Sequence, residues 1–179
     1  MSTSAKNKVI EEIRRDLFSG EDLVVMKAVK KCEDLSAPQL VEPLIAVFAT
    51  TDNVAIKQEV GEMLGSLKVS NTEDYFFNAL RNKEFRNVRR ELLSFIWNSG
   101  IQPAGEVVFL TELAIDGSYE EALECLTIIE EIEEGIPEDH LLEASSIARA
   151  FITTNKDHEK VHLIADLLVA IEGRQELED

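Results

Sequence analysis

The sequence predicts an all-α fold in which about five antiparallel helix pairs stack into an α-α superhelix. Turn signals such as Ser19-Gly20 and Asp116-Gly117-Ser118 recur at intervals of about 31 to 39 residues, which is the period of helical solenoids. A second set of breaks, such as Gly135-Ile136-Pro137, falls between them, and the apolar residues of each segment follow helical spacing. Because one helix pair cannot bury its own apolar stripe, the pairs must share a continuous core.

Nine breaks define the predicted helices in chain order, because Gly, Pro, Asn and Asp interrupt helical segments. The breaks are Ser19-Gly20, Ser36-Ala37-Pro38, Thr51-Asp52-Asn53, Ser70-Asn71, Asn82-Lys83, Pro103, Asp116-Gly117-Ser118, Gly135-Ile136-Pro137 and Asn155-Lys156-Asp157. The predicted pairs are 7–18 with 21–34, 38–50 with 53–68, 72–81 with 85–99, 104–115 with 118–134, and 138–153 with 157–172. We expect a single domain over residues 1–179, with repeats at about 7–35, 36–69, 70–100, 101–135 and 136–173 and a tail at 174–179.

The second helices of the five pairs share one apolar register, with core residues expected at i, i+4 and i+7. These positions are Val25/Val29/Cys32, Ile56/Val60/Met63, Val88/Leu92/Phe95, Ala122/Leu126/Ile129 and Val161/Ala165/Leu168. The repeated register is the pattern expected of stacked pairs.

The second pair resembles a HEAT repeat, the unit of an armadillo-like α-solenoid family. The resemblance lies in its prolines, Asp52 at the turn between the helices, the apolar-basic pair Ile56-Lys57 and the closing Leu64-Gly65-Ser66-Leu67. It covers about residues 36–100, since Val88-Arg89 repeats the apolar-basic pair in the third unit.

The fourth and fifth units depart from this motif at Ala122-Leu123 and Val161-His162, and they are assigned by periodicity and length. The resemblance implies a superhelix with the first helices on the convex side. The second helices would then line a concave groove, which this family uses mostly for protein binding.

Charge is distributed unevenly along the chain. Residues 1–100 carry 14 basic and 15 acidic side chains, whereas residues 101–179 carry 4 and 20, so the net charges are −1 and −16. Because nucleic-acid binding normally needs a basic surface, we expect no binding of DNA or RNA along the whole molecule.

The chain is expected to be soluble and cytoplasmic. It contains no apolar run of the roughly 18 to 20 residues that a membrane span needs, and its polar N-terminal residues lack the apolar segment of a signal peptide. The two cysteines, Cys32 and Cys125, are far apart in sequence and are expected to be small buried thiols.

The candidate binding residues lie on the side of each second helix opposite the core positions. The five rows read Leu23/Lys27/Lys30/Asp34, Val54/Gln58/Gly61/Gly65, Arg86/Arg90/Leu93/Trp97, Glu120/Glu124/Thr127/Glu131 and Glu159/Leu163/Asp166/Ala170. From them we select as partner-binding residues Lys27, Gln58, Arg86, Arg90, Trp97, Glu120, Glu124 and Glu131. Arg and Trp are the side chains most enriched in binding hot spots, and the Glu row would select basic groups of the partner.

Each of these features has an ordinary structural explanation as well. A charged helix face is usually only solvated, and Trp97 lies close enough to a helix end to fold into the junction with the next pair. Gly61 and Gly65 indicate close approach either of a neighbouring helix or of a bound ligand backbone.

The last helix is apolar nearly all round over His162–Ile171, although terminal repeats normally have a polar outer face. Two explanations stay open. Either the tail from Glu172 to Asp179 folds back over this helix, or the helix contacts another chain, such as a second copy in a homodimer.

His158-Glu159-Lys160-Val161-His162 matches the zinc-binding helix motif His-Glu-x-x-His. A catalytic zinc site needs a third protein ligand, and the only other histidine is His140. Lys160 also places a cation inside the motif, and Val161 is expected in the core. Two partly exposed histidines are therefore the favoured interpretation.

The sequence favours a noncatalytic protein-protein interaction scaffold that needs no cofactor or metal. Its partner would be a protein or peptide bound in the concave groove, with basic groups facing the acidic C-terminal half. Two alternatives remain: a HEAT-like enzyme resembling a DNA glycosylase or a chromophore lyase, and a structural subunit that assembles through its apolar terminal helix.

Overall fold

The computed structural model describes residues 3–35, 37–67 and 71–175, and within these ranges the chain forms ten α-helices and no strand. The helices are α1 (Thr3–Leu17), α2 (Asp22–Leu35), α3 (Val41–Thr50), α4 (Val54–Gly65), α5 (Glu73–Arg81), α6 (Arg89–Asn98), α7 (Val107–Asp116), α8 (Tyr119–Glu131), α9 (Glu138–Thr154) and α10 (Val161–Gln175). Short 3₁₀ segments precede α3, α6 and α7, at Pro38–Leu40, Lys83–Val88 and Ala104–Glu106. The predicted all-α class is confirmed.

Each of the ten predicted helices is present. Some helix ends differ from the predicted bounds because local backbone interactions determine where a helix begins or stops. The sixth predicted helix, 85–99, opens as the 3₁₀ segment Lys83–Val88 before α6. The predicted break at Gly135 has a φ of 82°, a value that favours glycine. Ser36, Ser70 and the end of the tail at 176–179 lie outside the described residues.

Two side chains explain where α4 and α8 begin. The Oδ1 atom of Asn53 accepts the backbone N–H groups of Ala55 and Ile56 at 3.0 and 3.2 Å, which satisfies donors that a helix start leaves without an acceptor. Ser118 and Glu121 form a reciprocal capping box: Oγ of Ser118 accepts the Glu121 N–H, and Oε2 of Glu121 accepts the Ser118 N–H at 2.7 Å.

The chain forms two compact units, residues 1–99 and residues 100–179, where the sequence analysis expects one domain. The division falls at the predicted end of the third repeat, and it coincides with the change in charge between the two parts of the sequence. No helix among the described residues is both long and apolar enough to cross a membrane.

Unit 1 consists of two helix layers. The first helices of its three pairs contact one another in the order α1, α3, α5, and the second helices do so in the order α2, α4, α6. Apolar side chains fill the space between the layers, including Ile45, Val60, Phe76 and Leu92, which are fully buried. Short connections join the helices of each pair, and each pair packs on the next within this unit.

Unit 2 contains the pairs α7 with α8 and α9 with α10, and in it α7 contacts α9 while α8 contacts α10. The predicted core register holds at Ala122, Leu126 and Ile129 of α8. At α10 the register is wrong: Val161, Ala165 and Leu168 are partly exposed, and the buried residues are Leu163, Ile164, Leu167 and Ile171.

Helix α10 begins at Val161, four residues later than predicted, and its register fails for a separate reason: a segment that is apolar nearly all round fits more than one buried face. The Nδ1 atom of His158 accepts the backbone N–H of Lys160 at 3.1 Å, so residues 155–160 form turns and not a first helical turn. Lys160 then enters the core from the turn.

Lys160 is 3% exposed and closes the C-terminal end of α7. Its Nζ atom donates to the carbonyl oxygens of Ala114 and Gly117 at 2.8 Å each, and also to that of Ile115. Three acceptors match the three donors of an ammonium group, and carbonyls at a helix C-terminus carry the negative end of the helix dipole. Lys160 therefore supplies hydrogen-bond donors to the carbonyl groups at the end of α7, although it lies 43 to 46 residues further along the chain.

Gly117 allows the same end to pack closely. A Cβ atom at this position would lie 2.7 Å from the Leu113 carbonyl oxygen and 2.5 Å from Oε2 of Glu121. The backbone carbonyl cannot move away as a flexible side chain can, and the Glu121 carboxylate is held in the capping box. Only glycine fits between the end of α7 and the start of α8.

We predict that Lys160→Met destabilises the protein by about 3 kcal/mol, since methionine keeps the buried stem but leaves the α7 carbonyls without donors. Urea unfolding followed by circular dichroism measures the change. Lys156→Met, at an exposed position in the same turn, is the matched control and should change the free energy of unfolding by less than about 0.5 kcal/mol.

The pKa of Lys160 predicts how its contribution to the free energy of unfolding changes with pH. Burial lowers the pKa of Lys160 below its ordinary value of 10.5, against the opposing effect of Asp116, Glu159 and Glu121. The unfolded chain therefore holds this proton to higher pH than the native chain does. Consequently the contribution of Lys160 to the free energy of unfolding rises with pH up to about 10.5. Equal pH slopes for the native sequence and Lys160→Met would contradict this.

Both cysteines are free and buried, as the sequence analysis expects. Burial raises the pKa of the Cys32 thiol to about 12. Because the thiolate is the reactive species, this side chain is protected from alkylation and oxidation while the protein is folded.

Candidate functional site

The candidate residues of unit 1 lie on the outward side of the α2, α4 and α6 layer, which we call the second-helix face. Its exposed side chains are Leu23, Lys27 and Lys30 of α2, Val54 and Gln58 of α4, and Arg90 and Trp97 of α6. Five of the eight predicted partner-binding residues belong to this unit: Lys27, Gln58, Arg86, Arg90 and Trp97.

The N-terminal ends of α2 and α4 are joined by a side-chain hydrogen bond, from Nδ2 of Asn53 to Oδ2 of Asp22 at 2.7 Å. The next residues along each helix are Leu23 and Val54, and both are among the most exposed apolar side chains of the unit. Both exposed apolar residues thus directly follow the hydrogen-bonded pair that joins the two helix starts.

Trp97 and Arg90 lie on the same side of α6, because seven residues correspond to about two helical turns. The indole is 38% exposed, and the Arg90 side chain is 57% exposed with its Nη2 atom 3.8 Å from Oε1 of the adjacent Glu91. Trp97 thus keeps part of its ring at the surface and does not fold fully into the junction.

Two members of the predicted Arg86/Arg90/Leu93/Trp97 row are placed differently. Leu93 is fully buried, because at 100° per residue it lies on the core side of Trp97, and Ser94 takes its place beside Arg90. Arg86 is exposed but belongs to the 3₁₀ segment before α6, so the α-helical spacing does not fix its direction. The predicted stripe on α6 therefore reduces to Arg90 and Trp97.

Gly61 and Gly65 are explained by packing within unit 1. A Cβ atom at Gly61 would lie 3.1 Å from the Phe48 ring and 3.5 Å from the Phe95 ring, and at Gly65 it would lie 3.3 Å from Phe95. The two phenylalanines contact each other edge to face, with centroids 5.3 Å apart. The glycines allow the Phe95 ring to lie against α4, and the alternative of a ligand backbone is not needed.

The remaining candidates, Glu120, Glu124 and Glu131, lie on the outward side of α8 in unit 2. Exposed Tyr119 and Leu123 border them on the same helix, so this face combines an acidic edge with an apolar edge. The sequence analysis did not single out the apolar edge, although the i, i+4 spacing of Tyr119 and Leu123 is visible in the sequence.

Three of the four cations of unit 2 bind acceptors inside the unit. Arg149 pairs with Glu172 at 2.6 Å, Lys160 closes α7, and Arg174 donates to the carbonyl oxygen of Glu130 at 2.7 Å near the end of α8. Arg174 and Glu172 continue α10 as a helix, so up to Gln175 the predicted tail does not fold back over it. The internal use of these cations leaves the acidic side chains of the unit to dominate its surface charge.

The His-Glu-x-x-His sequence does not form the zinc-binding arrangement. His158 precedes α10, its Nδ1 atom accepts the Lys160 N–H, and its ring packs against Phe151 with centroids 5.2 Å apart. The motif requires both histidines on one face of a helix. Among the described residues, no group of three or more His, Cys, Asp or Glu side chains is placed to hold a metal ion.

No protein-family model, curated protein or solved structure matches the chain. The functional assignment consequently depends on the residues of the two units themselves.

We predict that His158→Ala leaves the interaction with Zn²⁺ unchanged, because His158 precedes α10 and does not share a helix face with His162. Isothermal titration with zinc chloride at pH 7 compares the variant with the native chain. Stoichiometric binding that disappears in both His158→Ala and His162→Ala would contradict the structural argument.

Proposed function

We propose that the chain is a noncatalytic protein-binding module, in which HEAT-like helix pairs present the outward sides of their second helices to a protein or peptide. The observation that carries the proposal is the second-helix face of unit 1, where Trp97 and Arg90 are exposed on the same side of α6. Large aromatic side chains beside guanidinium groups supply most of the binding energy in typical interfaces.

The composition of the face supports a protein partner. Leu23 and Val54 add exposed apolar area on adjacent helices, and Lys27 and Gln58 add polar groups at its edge. An apolar centre with a polar rim is the usual composition of a protein interface. The three exposed cations of the face, Lys27 and Lys30 of α2 and Arg90 of α6, favour a partner that presents carboxylates to it.

The outward side of α8 supports a second contact with different chemistry. Glu120, Glu124 and Glu131 would bind basic groups, with Tyr119 and Leu123 covering apolar parts of the partner. The net charge of −16 on this half of the chain favours a basic segment there through long-range attraction. We treat each face as a separate binding surface of its own unit.

The double variant Trp97→Ala with Arg90→Ala should reduce capture of the physiological partner by about tenfold or more, since it removes both proposed anchors. Affinity purification from the native cell, with quantitative mass spectrometry of the captured proteins, measures the loss. Both substituted side chains are exposed, so the helix content measured by circular dichroism should stay unchanged.

The matched control is Arg15→Ala with Leu142→Ala. Arg15 is an exposed arginine next to its own acidic partner Asp16, as Arg90 is next to Glu91, and Leu142 is an exposed apolar residue of α9 that belongs to neither proposed binding surface. Proteins that depend on the second-helix face are retained by the control and lost from the double variant. Identical captured proteins for the native chain and the double variant would overturn the proposal.

We propose a second copy of the chain, bound through the last helix, as a further partner. Val169 is 68% exposed on α10, beside the partly exposed Val161, Ala165 and Leu168. A second copy would have to approach against the negative charge of this half of the chain. We therefore expect dimer formation to increase with salt, as screening shortens the range of repulsion. Sedimentation equilibrium of the native chain and of Val169→Glu, at low and high salt, tests this, and a monomer under all conditions would exclude it.

A further inference from the structure

A groove lies on the side of unit 1 opposite the second-helix face, on the layer formed by α1, α3 and α5. Two adjoining pockets of about 340 and 240 Å³ make up the groove, and they share Glu42, Asn82 and Phe85 as a common wall. None of the residues selected from the sequence lies in it. It is therefore separate from the second-helix face.

The larger pocket exists because α3 carries short side chains between two protruding rings. Its floor is formed by Pro43 and Ala46, and its ends are Phe18, which is 60% exposed, and the half-buried Phe85. Contiguous exposed apolar groups, unlike single ones, are typical of ligand-binding grooves. The pocket is large enough to hold one leucine, methionine or phenylalanine side chain.

The smaller pocket has an apolar base and a polar rim. Ile45 and Ala79 are buried at its base, Tyr75 is half-buried at its side, and Asn78 is exposed at its edge. It would take a second apolar side chain, and the amide of Asn78 offers hydrogen bonds to a peptide backbone. Since the pockets share one wall, both side chains would come from the same short segment.

The charged groups of the groove favour a basic ligand. Glu42 stands at the shared wall with its side chain largely exposed, and Glu84 is exposed at the edge of the larger pocket. The single cation of the lining, Arg14, donates to the Gln39 carbonyl oxygen at 3.3 Å and lies 3.8 Å from Oε2 of Glu42. The two carboxylates therefore outnumber a guanidinium that already has acceptors within the protein.

We propose that this groove binds a short peptide segment of another protein, with two large apolar side chains and a lysine or arginine between them. The apolar side chains fill the two pockets, and the cation lies over the wall between Glu42 and Glu84. The C-terminal residues of this chain, Glu176-Leu177-Glu178-Asp179, have the wrong charge for the site, since they would bring three carboxylates to it.

The test uses the full chain and a phage-displayed library of random dodecapeptides. Peptides that bind the native chain and not Ala46→Trp are selected, because a tryptophan on the groove floor fills the larger pocket while its position stays half-exposed. The expected result is enrichment of two large apolar residues flanking a lysine or arginine. No enrichment over Ala46→Trp, or enrichment of acidic peptides, would overturn the proposal.

Fluorescence anisotropy with the most enriched peptide then tests the charge. Glu84→Lys should weaken binding by about tenfold, because it replaces attraction by repulsion. The matched control Glu62→Lys makes the same charge change at an exposed position of α4, away from the groove. It should leave the affinity within about twofold. Equal weakening by both variants would mean that only net charge matters, and it would overturn the assignment to the groove.

The variant pair Trp97→Ala with Arg90→Ala separates this inference from the proposed function. Groove peptides should bind it normally, whatever the fate of the second-helix face. Circular dichroism of every variant confirms that the helices are intact. A loss of peptide binding in this double variant, with the helices intact, would mean that the peptide binds the second-helix face, and it would overturn the proposal.

Discussion

The ammonium group of Lys160 is the interaction on which unit 2 depends. It joins the loop before α10 to the C-terminal end of α7, and so it ties the last helix pair to the one before it. A helix end buried inside a protein has carbonyl groups that water cannot reach, and an apolar residue at position 160 would leave them without donors. The capping box of Ser118 and Glu121 and the close fit at Gly117 complete the same junction. Three separate requirements of the backbone thus meet within a few residues of the turn between α7 and α8.

The acidic character of unit 2 comes from its composition. It has four basic against 20 acidic side chains, and Arg149, Lys160 and Arg174 are bound to carboxylate or carbonyl groups of the unit. The same few cations therefore hold helix ends and pairs together within a unit whose net charge is strongly negative. Unit 1 has no comparable imbalance, since its basic and acidic side chains are nearly equal in number. The two units therefore differ in charge, although both are built from helix pairs.

The helices could be predicted from the sequence because the residues that stop a helix act locally. Gly135 and the Asp52-Asn53 turn mark helix ends whatever the rest of the chain does. Burial could be predicted wherever one regular helix spans the whole segment, as in α8. It failed at Leu93, which lies on the core side of Trp97 within α6, and at Val161, because α10 is apolar nearly all round and fits more than one buried face. The role of Lys160 could not be predicted, since its acceptors are backbone atoms far away in sequence, and the groove of unit 1 depends on how three helices pack.

The contact between Phe95 and the two glycines of α4 has a consequence for how this chain can change over time. Because a ring occupies the space where side chains of α4 would otherwise stand, positions 48, 61, 65 and 95 share one volume. A methyl group gained at position 61 or 65 requires a small shift of the Phe48 or Phe95 ring, and a smaller residue at position 48 or 95 would relieve it. In related sequences these four positions should therefore vary together, and a tolerated substitution at one of them should reveal its compensating partner at another.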